Sequence, residues 1–438
     1  MENNKGLASQ NNRYAMAGRV EHHAEHDAPI TRKPELLCPA GSLEVLKVAV
    51  RYGADAVYIG GDAYGLRAKA HNFSYEDMKK GIEYAHSHNV KVYVTANIYA
   101  HDRDLDGIHE YFKELAKIKP DAVLIADPGV FMIAKKEMPE MELHISTQAN
   151  NTNYEEFNFW YSLGAKRVVS ARELSIEEIK DIRAHIDPDR EIESFVHGAM
   201  CISYSGRCIL SNYFTGRDAN QGECTHPCRW KYYVTEETRP GEYLPVEENE
   251  RGTYIFNSKD LCMVGHIPEL MDAGIDSYKI EGRMKTALYV ATVARTYRKA
   301  IDEYLESPEL YKEHLSLYQT EIEKCTYRRF TTGFFFGKPG ADEQIYDSNT
   351  YITGCTYYGY VHSFDEKGNP VFEQKNKFSV GEDIEIMKPD GRDIKVKVLE
   401  MYDEYGNPME SCPHPKQNVH IVLSEKPELF DLLRSCPE

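Results

Sequence analysis

The chain has 438 residues and a formal net charge of −18, from 52 Lys and Arg against 70 Asp and Glu. A hydrophobic fraction of 42% is that of a globular protein and excludes a disordered chain. No run approaches the roughly 18 apolar residues that a membrane span needs, and the polar start lacks an apolar signal segment. These features predict a cytoplasmic protein with no membrane partner. The acidic balance excludes a protein held to nucleic acid by its overall charge and leaves only a local basic surface for such contacts.

The first two thirds of the chain carry a strand and helix rhythm. Residues 1–33 lack this rhythm, so we predict that they form a disordered tail. Short apolar runs separated by amphipathic stretches then occur at residues 35–38, 56–60, 92–95, 122–126, 143–146, 167–170, 192–196 and 278–281. Strands separated by helices pair in parallel through crossover connections. The rhythm predicts a TIM-like (β/α)8 barrel over residues 34–345, with a doubly wound open sheet as the alternative.

The rhythm changes twice. Residues 199–252 form a cysteine-rich insertion before the last barrel strand, which a barrel would place at its carboxyl-terminal rim, where barrel enzymes do chemistry. From Tyr351 onward, short alternating segments separated by Gly-Asn and Asp-Gly turns predict a small antiparallel β-barrel over residues 346–425. Residues 426–438 are predicted to be a C-terminal tail.

The insertion, called the cysteine insertion below, contains four cysteines among several glycines: Cys201, Cys208, Cys224 and Cys228. Zinc commonly uses tight Cys-x2–4-Cys pairs on both sides, which only the second pair resembles, whereas an iron–sulfur cluster accepts looser spacing. The spacing favours a cluster and leaves zinc or unliganded thiols as alternatives. Because cytosolic thiols stay reduced, the scattered cysteines are predicted to be ordinary unpaired thiols: Cys38, Cys262, Cys325, Cys355, Cys412 and Cys436.

Polar side chains stand at the predicted strand ends, on the rim where a barrel active site lies. They are Glu35, Asn97, Asp127, Gln148, Arg172, Glu173, His197, Lys279, Glu281 and Arg283. Any one alone is commonly a helix cap or loop contact. Four of them could present cationic donors to a carboxylate, which predicts an anionic small substrate. The candidate catalytic residues are His197, Arg172, Lys279, Glu281 and Arg283.

A basic and aromatic segment lies between the barrel and the C-terminal domain. Arg328, Arg329 and Lys338 stand there beside Tyr327 and Phe330. Aromatic rings beside cations can stack on bases and meet phosphates, so these three cations are predicted to contact RNA. A buried aromatic connector between the two domains is the alternative.

The run ESFVHGAMCISYSGRCILS at residues 193–211 closely resembles the signature of the collagenase-like peptidase family of unassigned catalytic type, peptidase family U32. LCPAG at residues 37–41, GECTHPC at 222–228 and KIEGR at 279–283 resemble the same family. In members of this length, the resemblance implies an RNA-modifying enzyme that converts the tRNA wobble uridine to 5-hydroxyuridine. Such members use prephenate and a four-iron, four-sulfur cluster, and no molecular oxygen. Related members hydroxylate ribosomal RNA or the ubiquinone ring.

The resemblance maps the family's cluster cysteines onto Cys201, Cys208, Cys224 and Cys228. It implies that the cationic rim residues hold the two carboxylates of prephenate. The family's name suggests instead a peptidase, with Cys201 as nucleophile and His197 as base or with a metal ion. A Cys–His pair leaves three matched cysteines unexplained, so RNA hydroxylation is the preferred hypothesis. The competing hypotheses are the peptidase, a ribosomal RNA substrate, and a scaffold or iron–sulfur handling role.

Overall fold

The computed structural model describes residues 32–61, 64, 72–201, 203–230, 233–234, 244–245, 257–339, 344–345, 351–414 and 416–437. The predicted tail at residues 1–33 lies outside this part, apart from its last two residues. Arg32 pairs with Glu191 at 3.4 Å, and Lys33 pairs with Asp302 at 3.0 Å. The chain is therefore held against the barrel from residue 32 onward.

The strands of the first domain are β1 (Glu35–Pro39), β2 (Ala56–Gly60), β3 (Lys91–Ala96), β4 (Ala122–Ile125), β5 (Glu142–Ile145), β6 (Arg167–Val169), β7 (Glu191–Ala199), β8 (Tyr233–Val234), β9 (Leu244–Pro245), β10 (Asn257–Ser258), β11 (Asp260–Cys262) and β12 (Ser277–Ile280). The strands β1 to β7 pair in parallel in chain order, and β12 pairs in parallel with both β7 and β1. This closure confirms the predicted eight-stranded barrel and excludes the open sheet.

The helices are α1 (Leu43–Arg51), α2 (Tyr75–His86), α3 (Ile108–Ile118), α4 (Pro128–Glu137), α5 (Tyr154–Ser162), α6 (Ile176–Ala184), α7 (Leu210–Thr215), α8 (Ile267–Asp272), α9 (Ala287–Glu306), α10 (Pro308–Glu313) and α11 (Leu315–Ile322). Local sequence fixes where they begin. Ser175 starts α6 because its hydroxyl accepts from the Glu178 N–H while the Glu178 carboxylate accepts from the Ser175 N–H at 2.8 Å. In the described part of the chain, no helix is long and apolar enough to cross a membrane.

The interior of the barrel at its amino-terminal end is filled by a network of buried charges. The Arg167 guanidinium lies 2.6 Å from the Glu35 carboxylate, 2.7 Å from Glu191 and 3.0 Å from Glu193. Tyr93 also donates to Glu35, at 2.6 Å. The prediction that Glu35 lies at the carboxyl-terminal rim is therefore wrong, because Glu35 begins β1 and faces the opposite end of the barrel.

The remaining strands are β13 (Thr326–Tyr327), β14 (Phe330–Thr331), β15 (Gln344–Ile345), β16 (Ile352–Thr353), β17 (Thr356–Tyr360), β18 (Ser363–Phe364), β19 (Pro370–Glu373), β20 (Asp383–Met387), β21 (Asp393–Tyr402), β22 (Asn418–Leu423) and β23 (Leu432–Ser435). Seven of them form one antiparallel sheet, in the order β17-β23-β20-β21-β22-β19-β18, where the sequence predicted a small antiparallel β-barrel. Since β23 lies inside this sheet, residues 426–438 are not a tail. Its Arg434 is fully buried and lies 2.6 Å from Asp393.

Two cysteines that were predicted to be unpaired form a disulfide. Cys355 precedes β17 and Cys436 follows β23, and the two strands pair antiparallel with Thr356 opposite Ser435. This pairing brings the two Cα atoms to 4.2 Å, within reach of a bond. The disulfide fastens the end of the chain to the start of the C-terminal sheet, a contact that only the fold reveals.

Candidate active site

A cavity of about 500 Å³ opens at the carboxyl-terminal end of the barrel. It is lined by six of the ten polar residues predicted at the rim: Asn97, Gln148, Arg172, Lys279, Glu281 and Arg283. It is also lined by all four cysteines of the cysteine insertion, which leaves the barrel where β7 ends. The fold therefore brings the predicted cations and the predicted cluster ligands to one place.

Aromatic rings lie beneath two of the cations. The Arg172 guanidinium is 4.0 Å from the centre of the Phe195 ring, and Lys279 Nζ is 4.7 Å from the centre of the Tyr58 ring. Such contacts hold a cation without neutralising it. Arg172 also donates to the Ala199 carbonyl at 2.7 Å and lies 3.4 Å from Glu281. Its buried Nε has no hydrogen-bond partner among the described residues, so it keeps donor capacity for a ligand.

Lys279 joins the cavity to the charge network below it. Its Nζ lies 2.6 Å from the Glu193 carboxylate, and both side chains are buried. Burial lowers the pKa of Lys279 and outweighs the ion pair with Glu193, which acts in the opposite direction. For Glu193, burial raises the pKa, but Lys279 and Arg167 outweigh it and the net shift is downward. A carboxylate held ionised in this way fixes the ammonium at the base of the cavity.

Arg283 reaches the cavity across the end of β2. Its Nη1 donates to the Thr95 hydroxyl at 3.1 Å. A Cβ at Gly60 would lie 2.2 Å from that nitrogen, so any side chain at position 60 would block the guanidinium. A side chain at position 60 would therefore displace the Arg283 guanidinium from its present position.

The cysteine insertion is fastened to two loops of the barrel rim. The Asn220 amide both donates to and accepts from the Tyr99 backbone, at 3.1 Å each. Asn150 donates to the Ser205 carbonyl at 3.3 Å. A Cβ at Gly206 would lie 2.0 Å from the Oε1 atom of Gln148, so the backbone between Cys201 and Cys208 approaches that amide closely. These contacts hold the insertion over the mouth of the cavity.

The exposure and grouping of the four cysteines bear on which metal group they could hold. Cys201 is exposed, whereas Cys208, Cys224 and Cys228 are half-buried. Within the described ranges, no three His, Cys, Asp or Glu side chains are grouped so that they could hold one metal ion. A zinc ion needs its ligands about 2–2.3 Å from a single point, whereas a cluster takes its cysteines at separate irons. An all-thiolate set spread around one cavity mouth fits a multi-iron group better than a single zinc ion.

The structure places His197 outside the cavity. Lys279 pairs with Phe195 and Ile280 pairs with His197, so Val196 is an extra residue in β7 that forms a bulge. The bulge reverses the direction of the next side chain. The His197 ring is 1% exposed and lies among aromatic rings, 5.5 Å from that of Tyr297. Burial lowers the pKa of His197 to about 3. The prediction that it is a catalytic rim residue is therefore wrong.

Three other residues predicted at the rim or in RNA binding do not line the cavity. Asp127 caps α4 by accepting from the Gly129 and Val130 N–H groups. Glu173 does not line the cavity, and burial raises its pKa. Arg328 is 1% exposed and pairs with Asp260 at 3.0 Å, so it cannot meet an RNA phosphate and that prediction is wrong.

The other two cations of the basic segment, Arg329 and Lys338, are exposed at the protein surface. Neither lines the cavity. The segment is therefore divided: Arg328 is buried between elements, whereas Arg329 and Lys338 face solvent, and RNA contact by these two stays a prediction.

Several cavity residues were not predicted. Tyr58 and Phe195 lie within apolar strand runs, which hides them; Phe195 is the strand partner of Lys279, whereas Tyr58 lies on β2, one strand further round the barrel. Arg217 and Tyr204 also line the cavity. Both lie between cysteines of the insertion, and this position in the sequence was the signal that could have identified them.

The comparisons with known proteins agree with this architecture. The family model of peptidase family U32 matches residues 41–345, and that of the U32 C-terminal domain matches residues 353–434. The chain belongs to peptidase family U32. The signature that carried the resemblance, residues 193–211, covers the end of β7 and the first part of the cysteine insertion.

Three curated relatives of this U32 family member are informative. The tRNA hydroxylation protein P1 of Bacillus subtilis (strain 168) is 42% identical over 401 residues, which cover 91% of this chain and 93% of the relative. The tRNA hydroxylation protein P of Escherichia coli (strain K12) is 38% identical over 437 residues, covering 91% and 95%. The 23S rRNA 5-hydroxycytidine C2501 synthase of the same E. coli strain is 34% identical over 325 residues, covering 73% of this chain and 47% of the relative.

Proposed function

We propose that this U32 family member hydroxylates RNA, converting the wobble uridine of tRNA to 5-hydroxyuridine with prephenate and an iron–sulfur cluster and without molecular oxygen. The observation that carries the proposal is one cavity lined both by four cysteines and by Arg172, Lys279 and Arg283. The names of the curated relatives support hydroxylation of RNA.

The cations would bind the co-substrate. Prephenate carries two carboxylates, and guanidinium groups hold carboxylates through two parallel hydrogen bonds. Arg172 and Arg283 approach the cavity from different strands, so each can take one carboxylate, with Lys279 at the base of the cavity. Aromatic rings support Arg172 and Lys279 from below, and the buried Nε of Arg172 has no hydrogen-bond partner among the described residues and could donate to the ligand.

Transfer of a hydroxyl group from prephenate to uracil balances in atoms and electrons without molecular oxygen. The C5–H bond of uracil and the C–O bond of the donor's hydroxyl break, while C5–O and donor C–H bonds form. Uracil loses one electron pair and prephenate gains it. The cavity must therefore hold both molecules together, and the insertion, fastened to the rim through Asn220 and Asn150, would limit the entry of water.

Cys201, Cys208, Cys224 and Cys228 would hold a four-iron, four-sulfur cluster at this mouth. When bound, such a cluster supplies one-electron transfer or an iron site for a ligand atom. Glu281 keeps Arg172 oriented at 3.4 Å, and Glu193 holds the Lys279 side chain in place at 2.6 Å below the cavity.

Three features favour tRNA hydroxylation over the competing hypotheses. The chain spans 93% and 95% of the two tRNA hydroxylation relatives but 47% of the ribosomal RNA relative. The Cys–His peptidase is disfavoured because His197 does not share the cavity with Cys201. A metal-dependent peptidase is disfavoured because the described residues hold no group suited to one metal ion.

The test is to express the chain in a bacterium that lacks its own tRNA hydroxylation genes and is grown without oxygen. Nucleosides from purified tRNA and from 23S rRNA are then quantified by mass spectrometry. The proposal expects 5-hydroxyuridine in tRNA and no hydroxycytidine in rRNA. Absence of 5-hydroxyuridine, together with gelatin cleavage by the purified protein, would replace it with the peptidase.

A further inference from the structure

The cysteine insertion presents an exposed apolar surface. Tyr213 is 79% exposed and Ile209 is 77% exposed, although both are large apolar residues. We call the exposed apolar residues of the insertion its aromatic face: Tyr204, Ile209, Tyr213, Phe214 and Trp230. Exposed apolar residues are common one at a time, but a group of five within 27 positions marks a surface that meets a partner.

The aromatic face is continuous with the mouth of the cavity. Tyr204 lines the cavity, and Trp230 follows Cys228, which also lines it. The Tyr213 and Phe214 ring centres are 5.1 Å apart, and the Phe214 and Trp230 centres are 6.0 Å apart. A partner lying on these rings would therefore end at the cavity.

The local charge suits an anionic partner. Residues 199–230 contain three arginines against Asp218 and Glu223, a net charge of +1, in a chain of net charge −18. Arg217 lines the cavity, and Arg207 is exposed with its guanidinium 4.2 Å from the Tyr99 ring centre. Positive charge beside exposed rings is the combination that binds single-stranded nucleic acid, in which bases stack on rings and phosphates meet arginines.

Resting on the proposed function, we propose that the aromatic face binds unpaired nucleotides of the RNA loop by stacking and delivers the target base to the cavity. RNA-binding proteins recognise loops through unstacked bases placed on aromatic side chains. Enzymes that modify a base must also take it out of its stack. When the target base leaves its stack, the neighbouring bases lose a stacking partner, and the rings of the aromatic face can take its place.

The test measures RNA affinity of the full-length protein by fluorescence anisotropy, with a labelled tRNA anticodon stem–loop and a fully paired duplex of the same stem. Tyr213→Ala is expected to raise the stem–loop Kd by about fivefold or more, with little change for the duplex. Tyr213→Trp keeps a ring and should bind like the unaltered protein. Tyr405→Ala is the matched control, since Tyr405 is 81% exposed on the C-terminal domain, and should leave the stem–loop Kd unchanged.

Two results would overturn the proposal. One is an unchanged stem–loop Kd for both Tyr213→Ala and Phe214→Ala. The other is normal stem–loop binding by Tyr213→Leu, because binding that any apolar side chain supports does not depend on stacking against a ring.

The same variants are scored for 5-hydroxyuridine in cells, which separates this proposal from the proposed function. If the unaltered protein forms 5-hydroxyuridine and Tyr213→Ala forms as much, only the stacking role fails. If the unaltered protein binds the stem–loop through Tyr213 but forms no 5-hydroxyuridine, the proposed function fails and the stacking surface stands.

Discussion

The two ends of the barrel are built from the same kinds of residue and differ in how completely their charges are paired. At the amino-terminal end, Arg167 contacts three carboxylates and is 3% exposed. At the carboxyl-terminal end, Arg172 Nε and Gln148 Oε1 are buried and have no hydrogen-bond partner among the described residues. Buried polar atoms are almost always satisfied, so this donor and this acceptor, both at the cavity, are open to a ligand. The two arginines therefore differ in their pairing: carboxylates surround Arg167, whereas Arg172 keeps one donor open at the cavity.

Lys279 belongs to both ends. Its ammonium is held by Glu193 of the amino-terminal network and lines the cavity above. The network therefore anchors the site as well as the barrel. Variants at the two ends separate these two roles.

The largest effect is expected at the cysteines. Replacing any one of Cys201, Cys208, Cys224 or Cys228 by Ala should reduce 5-hydroxyuridine in cellular tRNA to background, because each holds the proposed cluster. The urea midpoint of the barrel should barely move, since none of the four is in the core. Cys262→Ala is the matched control, a half-buried cysteine that does not line the cavity, and should keep full modification.

The next effect concerns the amino-terminal network. Arg167→Ala leaves three carboxylates buried around an empty position and should lower the free energy of unfolding by about 3–5 kcal/mol. Arg172→Ala removes a less completely paired arginine and should cost much less stability while it weakens RNA modification. Urea unfolding of both variants measures this difference. Equal losses of stability would show that the two ends are not distinct.

Arg283→Ala should weaken prephenate use without affecting the fold. Loss of one charged hydrogen-bonding group costs about 1.5–3 kcal/mol of binding, which raises the KM for prephenate by about 10-fold to 150-fold. Arg392, an exposed arginine of the C-terminal sheet, gives the control Arg392→Ala. An unchanged KM would remove Arg283 from the prephenate site, and a changed absorption spectrum would assign it a structural role.

The last prediction concerns the dependence of stability on pH. Burial lowers the pKa of His197 to about 3, while an unfolded histidine titrates near 6.5. Between these values the unfolded chain binds a proton that the folded protein excludes, so stability falls as pH decreases, by up to about 1.4 kcal/mol per pH unit. His197→Phe should flatten this dependence between pH 6 and 4.

The His197→Phe variant also tests the hypothesis of a Cys–His peptidase. Because His197 lies outside the cavity, His197→Phe should retain 5-hydroxyuridine formation at neutral pH. Complete loss of activity in a stably folded His197→Phe protein would return this histidine to the active site.

The barrel could be predicted because its strands are short apolar runs with regular spacing, and a closed parallel sheet needs little more than that pattern. The last strand, β23, could not be predicted from the sequence. Residues 432–435 include Arg434, whose burial depends on Glu385 and Asp393, which lie 49 and 41 positions earlier in the chain. Arg328 was mistaken for a surface cation for the same reason, because its partner Asp260 is 68 positions away.

The candidate site could be predicted in outline, since six polar residues at strand ends and four cysteines line the same cavity. The error at His197 has a local cause. Alternation along β7 places Glu193, Phe195 and position 197 on one face, but the bulge at Val196 reverses the last of them. A bulge changes the face of a side chain without leaving a pattern in a single sequence.

The proposed function depends most on an iron–sulfur cluster held by the four cysteines beside the cationic cavity. The measurement that decides it is a count of iron, zinc and acid-labile sulfide in protein purified without oxygen, together with its visible absorption spectrum. We expect about four irons and four sulfides per chain, with the spectrum lost on exposure to air and in each Cys→Ala variant. About one zinc per chain, with no iron and no sulfide, would contradict this expectation.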